Sequence, residues 1–119
     1  MQSIKSDLET LESTRIDGGI RVGADTGKPH TWYSELFDRD DIEIGLWGCT
    51  PGGWQIDDRP DTEVVHVLRG RARITDHDGG SYEVGAGDIF VMPAGWSGRW
   101  DILDDLKKLY VIINDGGGK

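Results

Sequence analysis

Histidine and cysteine are both scarce in this chain. The single cysteine, Cys49, excludes an internal disulfide and makes a reducing compartment acceptable. The histidines number three, His30, His66 and His77. They are scattered at no metal-ligand spacing, so surface or packing roles are expected of them. Basic residues are few as well: 13 Lys and Arg stand against 22 Asp and Glu, for a formal charge of −9. Phosphate backbones and anionic membrane surfaces both require cationic contacts, so neither nucleic acid nor membrane is expected as a partner. The acidic excess reads as a solvated skin. No apolar run approaches the roughly 18 residues of a spanning helix. The polar N-terminus lacks the apolar core of a signal peptide, so a cytoplasmic location is expected. No repeat of fixed period and no linker is visible, and 119 residues suit one domain with one modest core.

What the chain does have is glycine, 18 residues of it, set between short apolar-alternating runs. The stretch Glu63 to Trp100 organises the rest. Val65 and Val67 share a face, as do Ala72 and Ile74, then Phe90 and Met92, a period of two that marks half-buried strands. Arg69-Gly70, Asp78-Gly79-Gly80 and Gly85-Ala86-Gly87-Asp88 read as turns. No helix N-terminus follows the last of these, so it is a hairpin-type turn and not a phosphate cradle. Upstream, Ile4, Leu8 and Leu11 have helical spacing and Ser6 precedes Glu9 as in a capping box, which allows a short helix or an arm within residues 1–30. Ile16 to Pro29 reads as loop with one edge strand, and Thr31 to Phe37 as a strand. In Ile42 to Cys49, Glu43, Gly45, Trp47 and Cys49 share one face. A turn at Thr50-Pro51-Gly52-Gly53 precedes a strand starting at Trp54-Gln55-Ile56. After Trp100 the pattern gives a turn at Asp104-Asp105 and a last strand Lys107–Ile113, with a glycine-rich, mobile tail at 115–119. About eight strands with short connections predict an all-β domain. A double-sheet jelly roll with its barrel core over residues 42–113 hides most sheet edges.

The spacings resemble those of the cupin superfamily, whose motifs are G-x5-H-x-H-x3-4-E-x6-G and G-x5-P-x-G-x2-H-x3-N. Glu63 and Gly70 match the end of the first motif, and Gly87, Pro93 and Gly95 the start of the second. The resemblance spans roughly residues 45–113 and implies the double-stranded β-helix of a cupin barrel. Trp54, Gly87-Asp88, Trp96, Gly98, Trp100, Lys108 and Tyr110 add a likeness to a small single-domain cupin family. That family is related to the C-terminal cupin of (S)-ureidoglycine aminohydrolase and to ethanolamine-utilisation cupins. The histidine positions of the first motif fall on Asp57 and Arg59, or on Ile56 and Asp58, and that of the second on Gly98. Only Glu63 remains of the usual three-histidine, one-glutamate metal site, and one glutamate does not supply the converging donors a divalent ion needs. No cofactor is therefore expected. By analogy with cupins, the chain is expected to form a homodimer.

Glu63 is the candidate catalytic residue, because strict alternation points it into the barrel with Val65 and Val67. Two readings stay open. It is a general acid/base or substrate anchor, or it is a structural carboxylate tied to Lys108, Arg59 or backbone amides. Trp54 and Trp100 are candidate ligand-binding surfaces among the five tryptophans, with Gln55, Lys108 and Tyr110 as polar contacts. Trp47 and Trp96 read as core filling. Cys49, which shares a face with Trp47, reads as a buried hydrophobe without an adjacent base. Three functions fit these residues. One is a cupin that binds a small polar metabolite without a histidine-based metal site. Another is a metal-dependent enzyme acting on a small ureido or amide compound, through a rearranged set such as Glu63, Asp57 and Gln55. The third is a non-catalytic dimeric binding or regulatory protein with a plugged cavity.

Overall fold

Alternating apolar residues govern most of this chain, and in the computed structural model, which describes residues 1–114, nearly every such run is a strand. The order is α1 (Leu8–Ser13), β1 (Ile16–Ile20), β2 (Ala24–Gly27), β3 (His30–Arg39), β4 (Ile42–Cys49), β5 (Gly52–Ile56), β6 (Thr62–Asp76), β7 (Ser81–Gly85), β8 (Ile89–Met92) and β9 (Gly98–Ile113). The strands form one curled sheet in the order β1-β3-β4-β9-β5-β2, with β6 pairing β7, β8 and β9. This is the all-β barrel that the alternation predicts. No helix among the described residues is long and apolar enough to cross a membrane. The expected mobile tail at 115–119 lies outside the described residues.

The long strand β9 joins the parts of the sheet. Its first half, Gly98 to Ile102, pairs with β5, and its second half, Leu106 to Ile113, pairs with β4. Along its other edge β6 accompanies it from Thr62–Ile113 to Asp76–Gly98. Two turns that the sequence pattern suggests are therefore absent. Arg69-Gly70 and Asp104-Asp105 lie inside continuous strands, and the register shifts between Val67 and Ala72 instead. Gly70 has φ +85°, and a Cβ there would run into the Asp105 carbonyl oxygen. The sheet bends where the two backbones touch, and it bends without leaving the ladder. The shift also has a side-chain consequence. Val67 and Ala72 are five positions apart and would face opposite ways in a regular strand, yet both are fully buried.

Three further details depart from the pattern. The helix cap is Asp7, whose carboxylate accepts from Thr10 N at 2.8 Å, and not Ser6. Residues 16–27 hold two short strands where a loop with one edge strand is expected. β1 pairs with β3, and β2 pairs with β5. Gly52 and Gly53 belong to β5 and not to the preceding turn.

The core gathers on the inner face of this sheet. Val65, Val67, Ala72, Ile74, Met92, Trp100 and Leu106 are all at most 2% exposed. Leu11 of α1 is buried too and packs on the side of β3, held in place by a Lys107–Glu12 ion pair of 2.7 Å.

Candidate functional site

The barrel holds an open cavity of 360 Å³, lined by Arg21, Tyr33, Glu43, Trp47, Trp54, Ile56, Arg59, Glu63, Trp100, Lys108, Tyr110 and Ile112. Its floor follows from strand parity. Trp100, Lys108, Tyr110 and Ile112 are the even-numbered, inward positions of β9, and Glu43 and Trp47 are the inward positions of β4 that flank them. Gly45 belongs to the same face. A Cβ there would strike the Ser34 carbonyl oxygen of β3 and stand 2.8 Å from the Tyr110 hydroxyl, so glycine is what lets both approach.

Glu63 is 4% exposed and Lys108 7%. The ammonium donates to Glu63 Oε2 at 2.6 Å, and the Arg59 guanidinium stands 2.8 Å from Oε1 and 3.0 Å from Asp61 Oδ1. Both carboxylate oxygens are thus engaged by cations. Lys108 Nζ lies 4.4 Å from the Trp47 ring centroid and 4.6 Å from that of Trp100, a cation between two π-faces. Trp54 and Trp100 are near-parallel, 6° apart with centroids 6.1 Å from each other, and Trp47 meets both edge-on. Burial pushes the Lys108 pKa down, and the Glu63 carboxylate pulls part of the way back. Burial, reinforced by donation to Glu43 Oε2 at 2.8 Å, holds the Tyr110 phenol well above its ordinary range.

Of the candidate residues, Glu63, Trp54, Trp100, Lys108 and Tyr110 come together at this cavity. Gln55 does not. It is exposed and donates to Asp57 at 3.3 Å, because neighbours on a strand point to opposite faces and Trp54 takes the inner one. Asp57 is exposed with it, so Glu63, Asp57 and Gln55 do not converge as a rearranged ligand set. Trp47, read from sequence as filling, also lines the cavity. Trp96 lies against Gly98, within 2.6 Å of where a Cβ would be, and donates to Asp76 Oδ1 at 2.8 Å. The ring fills the space beside the second-motif histidine position. Cys49 is 2% exposed, outside the cavity lining, and burial raises its thiol to about 12. Glu43 is legible in the sequence only as sharing a strand face with Trp47, and Arg21 carries no sequence signal. Arg21 stands in a glycine-rich segment without periodicity, and only the β2–β5 pairing brings it to Trp54.

The residues at Glu63 do not fit a divalent metal. An ammonium occupies the position that an ion bound to Oε2 would need, a guanidinium holds Oε1, and no imidazole lines the cavity. Elsewhere among the described residues, Glu35, Asp38 and Glu43 approach one another as a mainly exposed acidic cluster, in which Glu43 already accepts the Tyr110 hydroxyl.

Comparison with known proteins agrees with the barrel. The chain resembles an ethanolamine utilisation protein Q of Salmonella typhimurium, at 19% identity and TM-score 0.66, over 81% of this chain and 77% of that one. A Pseudomonas syringae protein of unknown function superposes with TM-score 0.76 at 20% identity over 82% of this chain, which spans 43% of that structure. A conserved Streptococcus pyogenes protein of unknown function is 28% identical over 70% of this chain and 73% of its own, with TM-score 0.59. No curated protein matches, and these likenesses do not show the relation to ureidoglycine aminohydrolase. The family model of the EutQ-like cupin domain matches residues 38–110, more than half of the chain and the whole stretch from the end of β3 to Tyr110. The chain is a member of the EutQ-like cupin family.

Proposed function

We propose that this cupin binds a small polar metabolite in its barrel and does so without a histidine-based metal centre. The observation that carries the reading is the Lys108–Glu63 contact of 2.6 Å inside the cavity. A lysine ammonium, flanked by two indoles and backed by Arg59, supplies there the positive charge that a metal supplies in other cupins. Glu63 then acts as a positioning residue: it fixes Lys108 and Arg59 against the wall. The cavity is open at 360 Å³ and not plugged by aromatic side chains, which favours a ligand site over a closed scaffold. That volume is near the lower end of small-molecule pockets.

Elemental analysis of protein purified without chelator tests the metal half of this reading. The expected result is less than about 0.1 equivalent of any transition ion, with no change in melting temperature on adding EDTA. A stoichiometric ion that disappears in Glu63→Gln would overturn it. The ligand half is tested by thermal-shift screening of small polar metabolites against the wild type and Glu63→Gln. At least one compound should stabilise the wild type, and the variant should lose most of that stabilisation.

A further inference from the structure

The cavity holds one cation that its ion pairs leave over. Lys108 and Arg59 are matched by Glu63 and Asp61. Glu43, the remaining acid of the lining, accepts the Tyr110 hydroxyl. Arg21 lines the same cavity and, among the described residues, forms no ion pair with any carboxylate. Its guanidinium carbon lies 5.1 Å from the Trp54 ring centroid, and its one hydrogen bond is to the neighbouring Val22 carbonyl. The side chain is not a loose surface arginine. Its backbone is pinned between β1 and β2, with Arg21 N donating to Pro29 O at 2.8 Å and Ala24 N donating to Arg21 O at 3.2 Å. Gly23, at φ +83°, closes that turn. Burial lowers the Arg21 pKa. A half-buried guanidinium stacked on an indole, with no carboxylate partner, is an arrangement that an anion would relieve.

Resting on the ligand-binding reading above, we propose that the cavity takes a small monocarboxylate with a flat apolar body, the carboxylate on Arg21 and the body against Trp54, Trp100 and Trp47. A planar guanidinium matches a carboxylate with two parallel hydrogen bonds. The indoles give a flat body apolar surface and an edge-to-face partner. Arg21 is the lining's cation without a carboxylate partner, and the Glu43 carboxylate in the same lining would repel a dianion more than a monoanion, which favours a monocarboxylate over a phosphate dianion.

The three indoles of the lining supply the readout. Wild type, Arg21→Gln and Arg21→Lys are titrated with benzoate, benzamide and benzylamine, following tryptophan emission and confirming each affinity by calorimetry. Benzoate is expected to bind the wild type at least about tenfold more tightly than benzamide, as a charge-assisted pair requires. Arg21→Gln should bring the two within about twofold, and Arg21→Lys, which keeps the charge and loses the fork, should fall between. Benzamide or benzylamine binding the wild type as tightly as benzoate would overturn the carboxylate assignment and leave the ligand cavity standing. So would the wild-type preference surviving undiminished in either variant; Arg21→Lys decides the matter if Arg21→Gln does not fold. Failure of all three probes to bind the wild type would overturn the assignment and weaken the cavity reading with it. In that case, stabilisation by some other polar metabolite would rescue the cavity alone.

Discussion

Glu63 and Lys108 are unequal partners, because Arg59 stands on only one side of the pair. Replacing Glu63 by alanine leaves the buried Lys108 ammonium without a carboxylate, and leaves Arg59 only Asp61. That change is expected to cost about 3–5 kcal/mol, the usual result of stranding a buried charge. Lys108→Met leaves Glu63 in contact with Arg59 and puts a soft, apolar chain between Trp47 and Trp100. It is expected to cost about 1–2 kcal/mol. Urea denaturation checks the asymmetry: the two midpoints should separate while the slopes stay equal. Equal losses would mean that Arg59 does not hold Glu63. The sequence pattern already places Glu63 inside, since its parity with Val65 and Val67 is visible. It does not show that Lys108 and Arg59 both reach the carboxylate, because Lys108 arrives only through the β6–β9 register between strands far apart in the chain. Gln55 is the opposite case. Its exclusion from a site containing Trp54 is written in the period of two, which forbids adjacent strand residues from lining one cavity.

At the scale of elements, the shape of the barrel depends on how β6 and β9 bend together. Gly70 and Gly79 both have positive φ, +85° and +97°, yet they differ in surroundings. A Cβ added at Gly79 would meet nothing within 4 Å, whereas one at Gly70 would strike the Asp105 backbone. Gly79→Ala should therefore cost only the left-handed penalty of about 1–2 kcal/mol. Gly70→Ala adds overpacking against main chain that cannot move aside, for a total of about 3–4 kcal/mol. Thermal melts of the two variants give the comparison, and near-equal shifts in Tm would show that the bend tolerates a side chain. The alternation on either side of Gly70 makes both flanking strands legible. It does not reveal that they are one strand, since a glycine between two apolar runs looks the same whether the chain turns or bulges. The odd step from Val67 to Ala72 is the trace the bulge leaves in the sequence, and it becomes readable only when both residues are known to be buried.

For the whole molecule, burial sets a characteristic response to alkali. The Cys49 thiol is raised from 9.0 to about 12, and Tyr110 is raised from 10.0. Between pH 9 and 12 the unfolded chain therefore releases a thiol proton that the folded chain keeps. A group raised in this way contributes stability that is complete below its unfolded pKa and is lost as pH climbs toward the folded one. Lys108 has the opposite sign. Its folded pKa lies below 10.5, so up to that pH the unfolded chain binds the proton that the folded lysine gives up, and stability gains. The two effects offset each other at first, and the net loss should steepen above about pH 10.5, where only the raised acids still differ between the states. Substituting Cys49 by alanine removes one of those acids. Across the window from pH 9 to 12, the wild-type stability should fall more steeply than that of Cys49→Ala by up to about 1.4 kcal/mol per pH unit, the equivalent of one proton. Denaturant titrations of both proteins at half-unit pH intervals measure the difference. Parallel curves would mean that the thiol ionises as readily inside the barrel as in the open chain, and the packing that buries Cys49 would have to admit water.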